Sequence, residues 1–583
     1  MIRIDYESDR QCALITTDDE NHLWGELKLL MSNYEIQDFE VGHKYLRTPW
    51  WSLKARWADV LEWADYFDVE FILSKKAESF FNAEKNNSLT HKKFTEDDIS
   101  KTLEEVGFIR KLRSFQLRNV HKLVNVQNGA ATFSVPGAGK TTEALACYFL
   151  RKSRESRLLV VCPKNAFGVW EDEISECAPD AKIKVIRLTG NADEVSKKLN
   201  GEGNVFLITY QKLSLETYQI ASNLAASDLM FLDESHYIKK GVGGIWAESV
   251  LRISHLVGYK LILSGTPLPN STKDLESQFQ FIGVHVDSND HNISSLIDPF
   301  YVRTTKSELG LRPYRPSIID IPMGEAQREL YLYAKSEDFR QLSSLRARDK
   351  NSLRMLGKSA QRLLQITSNP FLLARFEFEN FEPVKNAINE GPGPKFQYVC
   401  QRARSLVEEG KKCLIWSHFV MNVEAIAAQL SDLGAEFIHG GVDAGSNDDA
   451  NSRESIIRRF HEDSGTMVLV ANPAACAEAI SLHRVCHHAI YLDRNFNAAQ
   501  FLQSIDRIHR LGLEDSVETN VEILRSPGTI DDIVNQRLNS KVSNMQRVLD
   551  DYSIQPEIEE IDLDDDDVFN SEDAESYFEY LAE

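Results

Sequence analysis

Two short stretches of this chain carry side chains suited to handling a nucleoside triphosphate. The first is Ser134-Val-Pro-Gly-Ala-Gly-Lys-Thr141, which follows an apolar run and precedes a helix expected over Thr142–Arg151. A loop built from Pro136, Gly137, Ala138 and Gly139 lets backbone N–H groups wrap phosphate oxygens at a helix N-terminus. Lys140 adds a point charge, Thr141 offers a hydroxyl to Mg2+, and Thr142 opens the helix. Ser134 stands where the G-x-x-x-x-G-K-T pattern has its first glycine. A plain Gly-rich turn with an exposed lysine is the bland alternative, and the strand before and helix after disfavour it. The second stretch, Asp233-Glu-Ser-His236, closes another apolar run, Asp228–Leu232. Carboxylates at a strand's C-terminal end face the crevice where α/β sheets bind ligands. Asp233 is placed to hold Mg2+ through water, and Glu234 to orient or deprotonate an attacking water. The expected chemistry is hydrolysis of ATP, with Mg2+ as the only metal.

The elements that must position these residues alternate in two blocks. Apolar runs at Ala131–Val135, Leu158–Cys162, Val205–Thr209, Leu229–Asp233 and Leu261–Ser264 form the first. Cys413–Trp416, Met467–Ala471, Ala489–Asp493 and Val521–Leu524 form the second. Continuous apolar strands between helices indicate parallel sheets covered on both faces, and two blocks indicate two α/β domains. Between them the period changes: Ala326–Leu345 and Arg354–Ile366 read as amphipathic helices, and Asn389–Pro394 as a linker. The expected fold is α/β: two tandem RecA-like domains with parallel sheets, a helical insertion between them, and a small N-terminal α+β accessory domain. The expected boundaries are 1–100 for the accessory domain, 101–286 for the first RecA-like domain, 287–394 for the insertion and linker, 395–550 for the second RecA-like domain, and 551–583 for an acidic disordered tail.

The order of motifs resembles superfamily-two helicases of the DExH type, and specifically the Swi/Snf-type ATPases, over roughly residues 108 to 549. Arg113-Ser-Phe-Gln116 looks like their adenine-reading motif, with Gln116 on the base. Pro163-Lys164 with Trp170 and Glu173 looks like motif Ia, and Thr209-Tyr210 suits the next. Ser264-Gly-Thr-Pro267, then Asn270 and Leu275, is close to motif III. Tyr301–Lys306 and Leu364–Pro370 echo the family's helical insertion. Lys412–Ser417 resembles motif IV, and His439-Gly-Gly441 with Arg453 and Phe460 fits the following segment. Gln503-Ser-Ile-Asp-Arg-Ile-His-Arg510 is a close match to motif VI. On a continuous helix Gln503, Arg507 and Arg510 fall at i, i+4 and i+7 on one face. From there the guanidiniums are expected to reach the γ-phosphate across a domain cleft. Gly528–Asp531 and Lys541 follow the closing pattern. The resemblance implies an ATP-dependent translocase on nucleic acid, foremost duplex DNA, without obligatory strand separation. The alternatives are a strand-separating DNA or RNA helicase and an ATP-gated module that recruits a nuclease or other effector. Small bacterial relatives in restriction and anti-phage systems make a defence role a further expectation.

Some residues depart from the family pattern. Motif V, Asn472–Leu482, carries Ala475 and Ala479 where glycine is expected, and a Cβ restricts φ > 0 and close backbone approach. His483, Cys486, His487 and His488 read as packing residues rather than a zinc site, because no second cysteine pair accompanies them. Trp50, Trp51, Trp57 and Trp63 read as the core of the accessory domain, with base stacking or partner binding as the alternative. The eight cysteines form no C-x-x-C pair and fit reduced core thiols. The net charge of −22 is concentrated at the end: Asp551 to Glu583 holds 14 acidic residues and no Lys or Arg, leaving −8 for the rest. Phosphate binding depends on local cations, so this balance permits a DNA groove. The tail and the accessory domain are also the expected docking places for a protein partner. No signal-peptide layout and no run of ~18 apolar residues is present, so a soluble cytoplasmic protein with no membrane contact is expected.

Overall fold

In the computed structural model the described residues are all except 1, 33–35, 37, 82–92, 165, 240, 242, 266, 269–271, 288–291, 312–315, 343–349, 374–381, 443–451, 477–481, 497, 510–516, 550–570 and 583. The chain divides into two compact units, Met1–Thr304 and Thr305–Glu583.

The first unit begins with a five-stranded sheet. Its strands are β1 (Ile2–Glu7), β2 (Cys12–Thr17), β3 (Glu40–Val41), β4 (Tyr45–Pro49) and β5 (Phe71–Leu73), in the order β3-β4-β2-β1-β5. Strand β1 alternates Ile2, Ile4 and Tyr6 inward with Arg3 and Asp5 outward, as a sheet with one covered face requires. The tryptophans supply that cover. Trp50 is fully buried and meets Tyr6 edge-on with centroids 5.3 Å apart, while Trp57 stacks on Phe81 at 4.4 Å. These side chains fill a core, as the sequence suggests. The accessory sheet is docked on its neighbour by polar contacts: Tyr6 Oη meets His255 Nε2 at 2.7 Å, and Arg252, itself buried, pairs with Asp38 at 2.9 Å.

The same unit then forms a seven-stranded sheet from β6 (Gly129–Thr132), β7 (Leu158–Val161), β8 (Val185–Arg187), β9 (Val205–Ile208), β10 (Leu229–Asp233), β11 (Tyr259–Leu263) and β12 (Tyr301–Val302). The order is β12-β6-β11-β10-β7-β9-β8, and every pair is parallel. Strands β6, β7 and β9 are buried at every residue, which explains their unbroken apolar runs.

The second unit holds a six-stranded sheet of β13 (Ser317–Asp320), β14 (Cys413–Trp416), β15 (Glu436–Ile438), β16 (Val468–Ala471), β17 (His488–Tyr491) and β18 (Asn520–Arg525), ordered β13-β18-β17-β14-β16-β15 and again parallel throughout. The fold is therefore α/β with two RecA-like parallel sheets, a helical insertion and an N-terminal α+β domain.

Three expectations need correction. The segment 287–394 is not wholly a separate insertion: β12 joins the edge of the first sheet and β13 the edge of the second. Both are short edge strands, and β13 is mostly exposed, so neither carries an apolar run that sequence could reveal. The helices Glu325–Leu342, Lys350–Ser368 and Glu382–Glu390 are the insertion proper. The expectation of a disordered tail fails over its last described stretch. Ser571–Ala582 is a helix whose Ala574, Tyr577, Tyr580 and Leu581 are buried, an apolar stripe at helical spacing hidden among acidic residues. It lies on the insertion helices and on Ile530–Leu549: Tyr580 Oη meets Tyr331 Oη at 2.5 Å, and Tyr577 Oη meets Ser359 Oγ at 2.6 Å. Third, motif VI is not one continuous helix. The helix Ala498–Ile505 ends before Arg507, whose carbonyl accepts from Leu482 N at 2.8 Å and is thereby engaged outside the helix.

Cys12, Cys147, Cys162, Cys177, Cys400, Cys413 and Cys486 are free and buried; among the described residues, no helix is long and apolar enough to cross a membrane.

Candidate active site

The phosphate loop leaves β6 at its C-terminal end and enters the helix Lys140–Arg151. Gly137 and Gly139 both have φ of 85°, in the left-handed region that glycine tolerates without steric cost. At Gly139 space is also limiting: an added Cβ would lie 2.4 Å from Gln116 Nε2. The helix's first i→i−4 bond runs from Glu143 N to Gly139 O, so the N–H groups of its first turn precede the ladder, the arrangement of an anion-binding helix start. Lys140 Nζ reaches back to the Ser134 carbonyl at 3.0 Å. Ser134 has its own reason for replacing glycine. Fully buried, its Oγ accepts from Thr304 N at 3.0 Å and tethers the loop to the residue just past β12.

Gln116 sits against this loop. Its Oε1 accepts from Arg113 N at 3.0 Å and its Nε2 donates to Ala138 O at 3.1 Å. Behind the loop lies Glu143, a fully buried carboxylate held by Asn119 Nδ2 at 2.8 Å and Thr132 Oγ1 at 3.0 Å. Burial pushes its pKa up to about 7, with the two hydrogen bonds opposing that rise. Sequence reading missed Asn119 and Glu143, because a polar residue inside an otherwise apolar helix gives no sign of its partner.

Strand β10 is separated from β6 by β11 alone, so Asp233 and Glu234 emerge at the same sheet edge as the loop. Asp233 Oδ2 accepts from Trp170 Nε1 at 2.9 Å, and Oδ1 accepts from Glu234 N at 3.0 Å. Burial and the neighbouring Glu234 carboxylate raise the Asp233 pKa, opposed by the Trp170 N–H and Lys140. Glu234 adopts φ of 50° and ψ of 55°, a left-handed conformation that costs a non-glycine residue about 1–2 kcal/mol. That turn starts the short helix Ser235–Ile238, in which buried His236 Nδ1 lies 3.3 Å from both Ser264 Oγ and Glu234 Oε2. Burial depresses the His236 pKa to about 3, so its imidazole is neutral beside the carboxylate. An added Cβ on Gly265 would lie 3.6 Å from Lys140 Nζ, which puts this segment beside the loop.

The residues suit Mg2+ and a triphosphate. Thr141 and Asp233 offer hard oxygen donors of the kind Mg2+ takes. The loop supplies a cradle whose Gly139 leaves room for the Gln116 amide, which a Cβ there would displace. Thus Gln116, Pro136–Thr142, Asp233, Glu234 and Ser264 are brought together in one unit.

In the second unit Gln503 and Arg507 are nearly buried, and Arg510 lies outside the described residues. So do Thr266 and Asn270 of motif III and Ala479 of motif V. The Leu364–Pro370 stretch finds its role here. Ser368 Oγ donates to Asp493 Oδ2 at 2.6 Å, Ser417 Oγ donates to the same oxygen at 2.7 Å, and Asn369 Nδ2 donates to Asn422 at 2.8 Å. These buried bonds pin the C-terminal end of the insertion helix Lys350–Ser368 to the ends of β14 and β17. Asp531 performs a similar task, accepting from buried Lys395 Nζ at 2.7 Å and Ser526 N at 2.8 Å. Cys486 is buried, while His487 and His488 are held below the usual histidine pKa by burial.

A phosphate loop and an acidic strand end on one parallel sheet, followed by a second RecA-like sheet, define a two-domain P-loop nucleoside triphosphatase. Residues 99–372 match the SNF2-related domain and residues 394–512 the helicase conserved C-terminal domain. Among curated proteins, the chain is 23% identical over 541 residues to YwqA of Bacillus subtilis (strain 168), named as an ATP-dependent helicase/translocase, covering 86% of this chain and 54% of that protein. It is 24% identical over 477 residues to the chromodomain-helicase-DNA-binding protein 1-like of Mus musculus, covering 76% and 50%. The chain thus spans about half the length of these relatives. Among solved structures, the Sulfolobus solfataricus SWI2/SNF2 ATPase core in complex with dsDNA is 21% identical, covers 77% of this chain and 95% of its own, and has a TM-score of 0.34. The chain belongs to the Swi/Snf-type ATPases of helicase superfamily two.

Proposed function

We propose that the protein hydrolyses ATP to move along double-stranded DNA, without obligatory strand separation. One observation carries the reading: the phosphate loop, Asp233-Glu234 and Ser264 gather at the C-terminal ends of β6, β10 and β11, with His236 Nδ1 3.3 Å from both Glu234 Oε2 and Ser264 Oγ. In this reading Gln116 contacts the adenine. Pro136, Gly137, Ala138, Gly139 and Thr142 shape the loop whose N–H groups cradle the phosphates, and Lys140 neutralises their charge. Thr141 and Asp233 hold Mg2+, which when bound offsets charge on the phosphate oxygens. Glu234 orients or deprotonates water, and Gln503, Arg507 and Arg510 act on the γ-phosphate. Duplex DNA is favoured because the family's motifs run in order along both units, and because relatives are named for helicase, translocase and DNA-binding activity. The accessory sheet and the C-terminal segment are the candidate places for a protein partner.

The test is the ATPase rate with no polymer, single-stranded DNA, duplex DNA and RNA at two salt concentrations, with triplex displacement alongside. Stimulation by duplex DNA and displacement of the third strand are expected. Stimulation by single strands or RNA alone, or turnover without displacement, would remove the duplex-translocase reading.

A further inference from the structure

The helix Ala166–Cys177 contributes two polar contacts to the active site that neither the nucleotide loop nor the Asp233-Glu234 stretch supplies. Trp170 and Glu173 stand three residues apart and so share one face of it. Trp170 is fully buried, and its Nε1 donates to Asp233 Oδ2 at 2.9 Å. Glu173 Oε1 accepts from Thr142 Oγ1, in the first turn of the loop helix beside Thr141. The same oxygen accepts from Arg110, whose guanidinium also pairs with Glu176 and anchors the carboxylate. Trp170 packs in the same apolar cluster as Ala144, Leu145 and Phe231, so both elements it spans are tied to one core. Packing alone would need only an aromatic ring at position 170. The indole N–H adds an oriented donor to a carboxylate whose other oxygen already accepts from Glu234 N at 3.0 Å.

We propose that Trp170 and Glu173 are positioning residues for Mg2+: one helix fixes the Asp233 carboxylate through Trp170 and the first turn bearing Thr141 through Glu173, setting the separation and orientation of the two metal-binding groups. The inference rests on the assignment of Thr141 and Asp233 as Mg2+ ligands. Hydrogen-bonded partners that orient metal ligands contribute about 10–100-fold to affinity, and a single indole N–H is expected at the lower end.

The measurement is Mn2+ binding in the presence of ADP by electron paramagnetic resonance, using the full chain, with ADP binding in EDTA as the metal-free control. Trp170→Phe is expected to weaken Mn2+ about 10-fold and leave ADP affinity in EDTA within about 2-fold. Replacing Trp170 by 3-benzothienylalanine, which keeps the bicyclic shape without the N–H, should reproduce that loss and serves if the phenylalanine variant is unstable. Glu173→Ala should weaken Mn2+ similarly, and Glu173→Gln, which keeps the accepting Oε1, should restore most of it. The Mg2+ concentration for half-maximal ATPase should rise in parallel, with kcat at saturating Mg2+ near wild type. Unchanged Mn2+ affinity in the benzothienylalanine variant, while Asp233→Asn abolishes binding, would overturn the proposal. Unchanged affinity in Asp233→Asn would instead overturn the ligand assignment beneath it.

Discussion

Asp573 tests whether the acidic C-terminal helix is a built part of the second unit. Its carboxylate is fully buried and faces Lys541 Nζ and Arg537 Nε, each at 2.8 Å, with side-chain exposures of 3% and 12% for the two cations. Asp573→Ala would leave both without this counter-charge. Removing one partner of a buried pair costs about 3–5 kcal/mol. Here two contacts remain: Lys541 keeps the Phe496 carbonyl at 3.0 Å, and Arg537 keeps Glu572 at 2.7 Å. The lower end, about 3 kcal/mol, is therefore expected. The loss also has a ceiling, because undocking the helix returns Lys541 to water. Two observables follow. Amide exchange across Ser571–Ala582 should accelerate by about two decades, since 1.4 kcal/mol is a factor of ten, and the thermal midpoint of the second unit should fall by several degrees. Tyr577→Phe, which removes only the hydroxyl bonded to Ser359, should cost about 1 kcal/mol. Asp573→Ala with unchanged exchange and a loss below about 0.5 kcal/mol would refute the reasoning, because that is the effect of a surface substitution.

Glu234→Gln is expected to retain ATP binding but hydrolyse slowly, and Arg507→Ala to spare binding while lowering turnover about 10³-fold; single-turnover kinetics separate the two, and wild-type hydrolysis in either removes that residue's assigned role. Gly139→Ala should weaken nucleotide binding by at least 10-fold in an equilibrium titration, because the new Cβ meets Gln116 Nε2 at 2.4 Å in a left-handed conformation. Buried His255, bonded to Tyr6 and held well below the usual pKa by burial with Lys260 and Lys54, is neutral in the fold. The unfolded chain takes up a proton there below pH 6.5, so this residue's stabilisation is full above that pH and declines by about 1.4 kcal/mol for each unit below it. Urea melts of wild type and His255→Gln between pH 7 and 5 should differ in slope by that amount, and equal slopes would contradict the assignment.

The sequence by itself determined the elements whose signal is local. Buried parallel strands must be apolar at every position, so Leu229–Asp233 and Cys413–Trp416 are legible to the residue. A phosphate loop needs small residues before a helix, so Gly137 to Thr141 announce themselves. Tertiary structure decided whatever depends on a distant partner. The hydroxyl of Ser134 matters because Thr304 N reaches it, 170 residues away. Trp170 is a motif Ia residue in sequence and a donor to Asp233 only once the sheet brings β10 beside it. The edge strands β12 and β13 are strands because a sheet edge accepts their backbone, not because of side-chain pattern. Motif VI passes from helix into turns after Ile505, with the Arg507 carbonyl taken by distant Leu482 N, and the helix Ser571–Ala582 is held where Asp573 meets Lys541 and Arg537. Periodicity reports which face of an element is covered, whereas a hydrogen bond or buried ion pair forms only when the chain brings its two ends together.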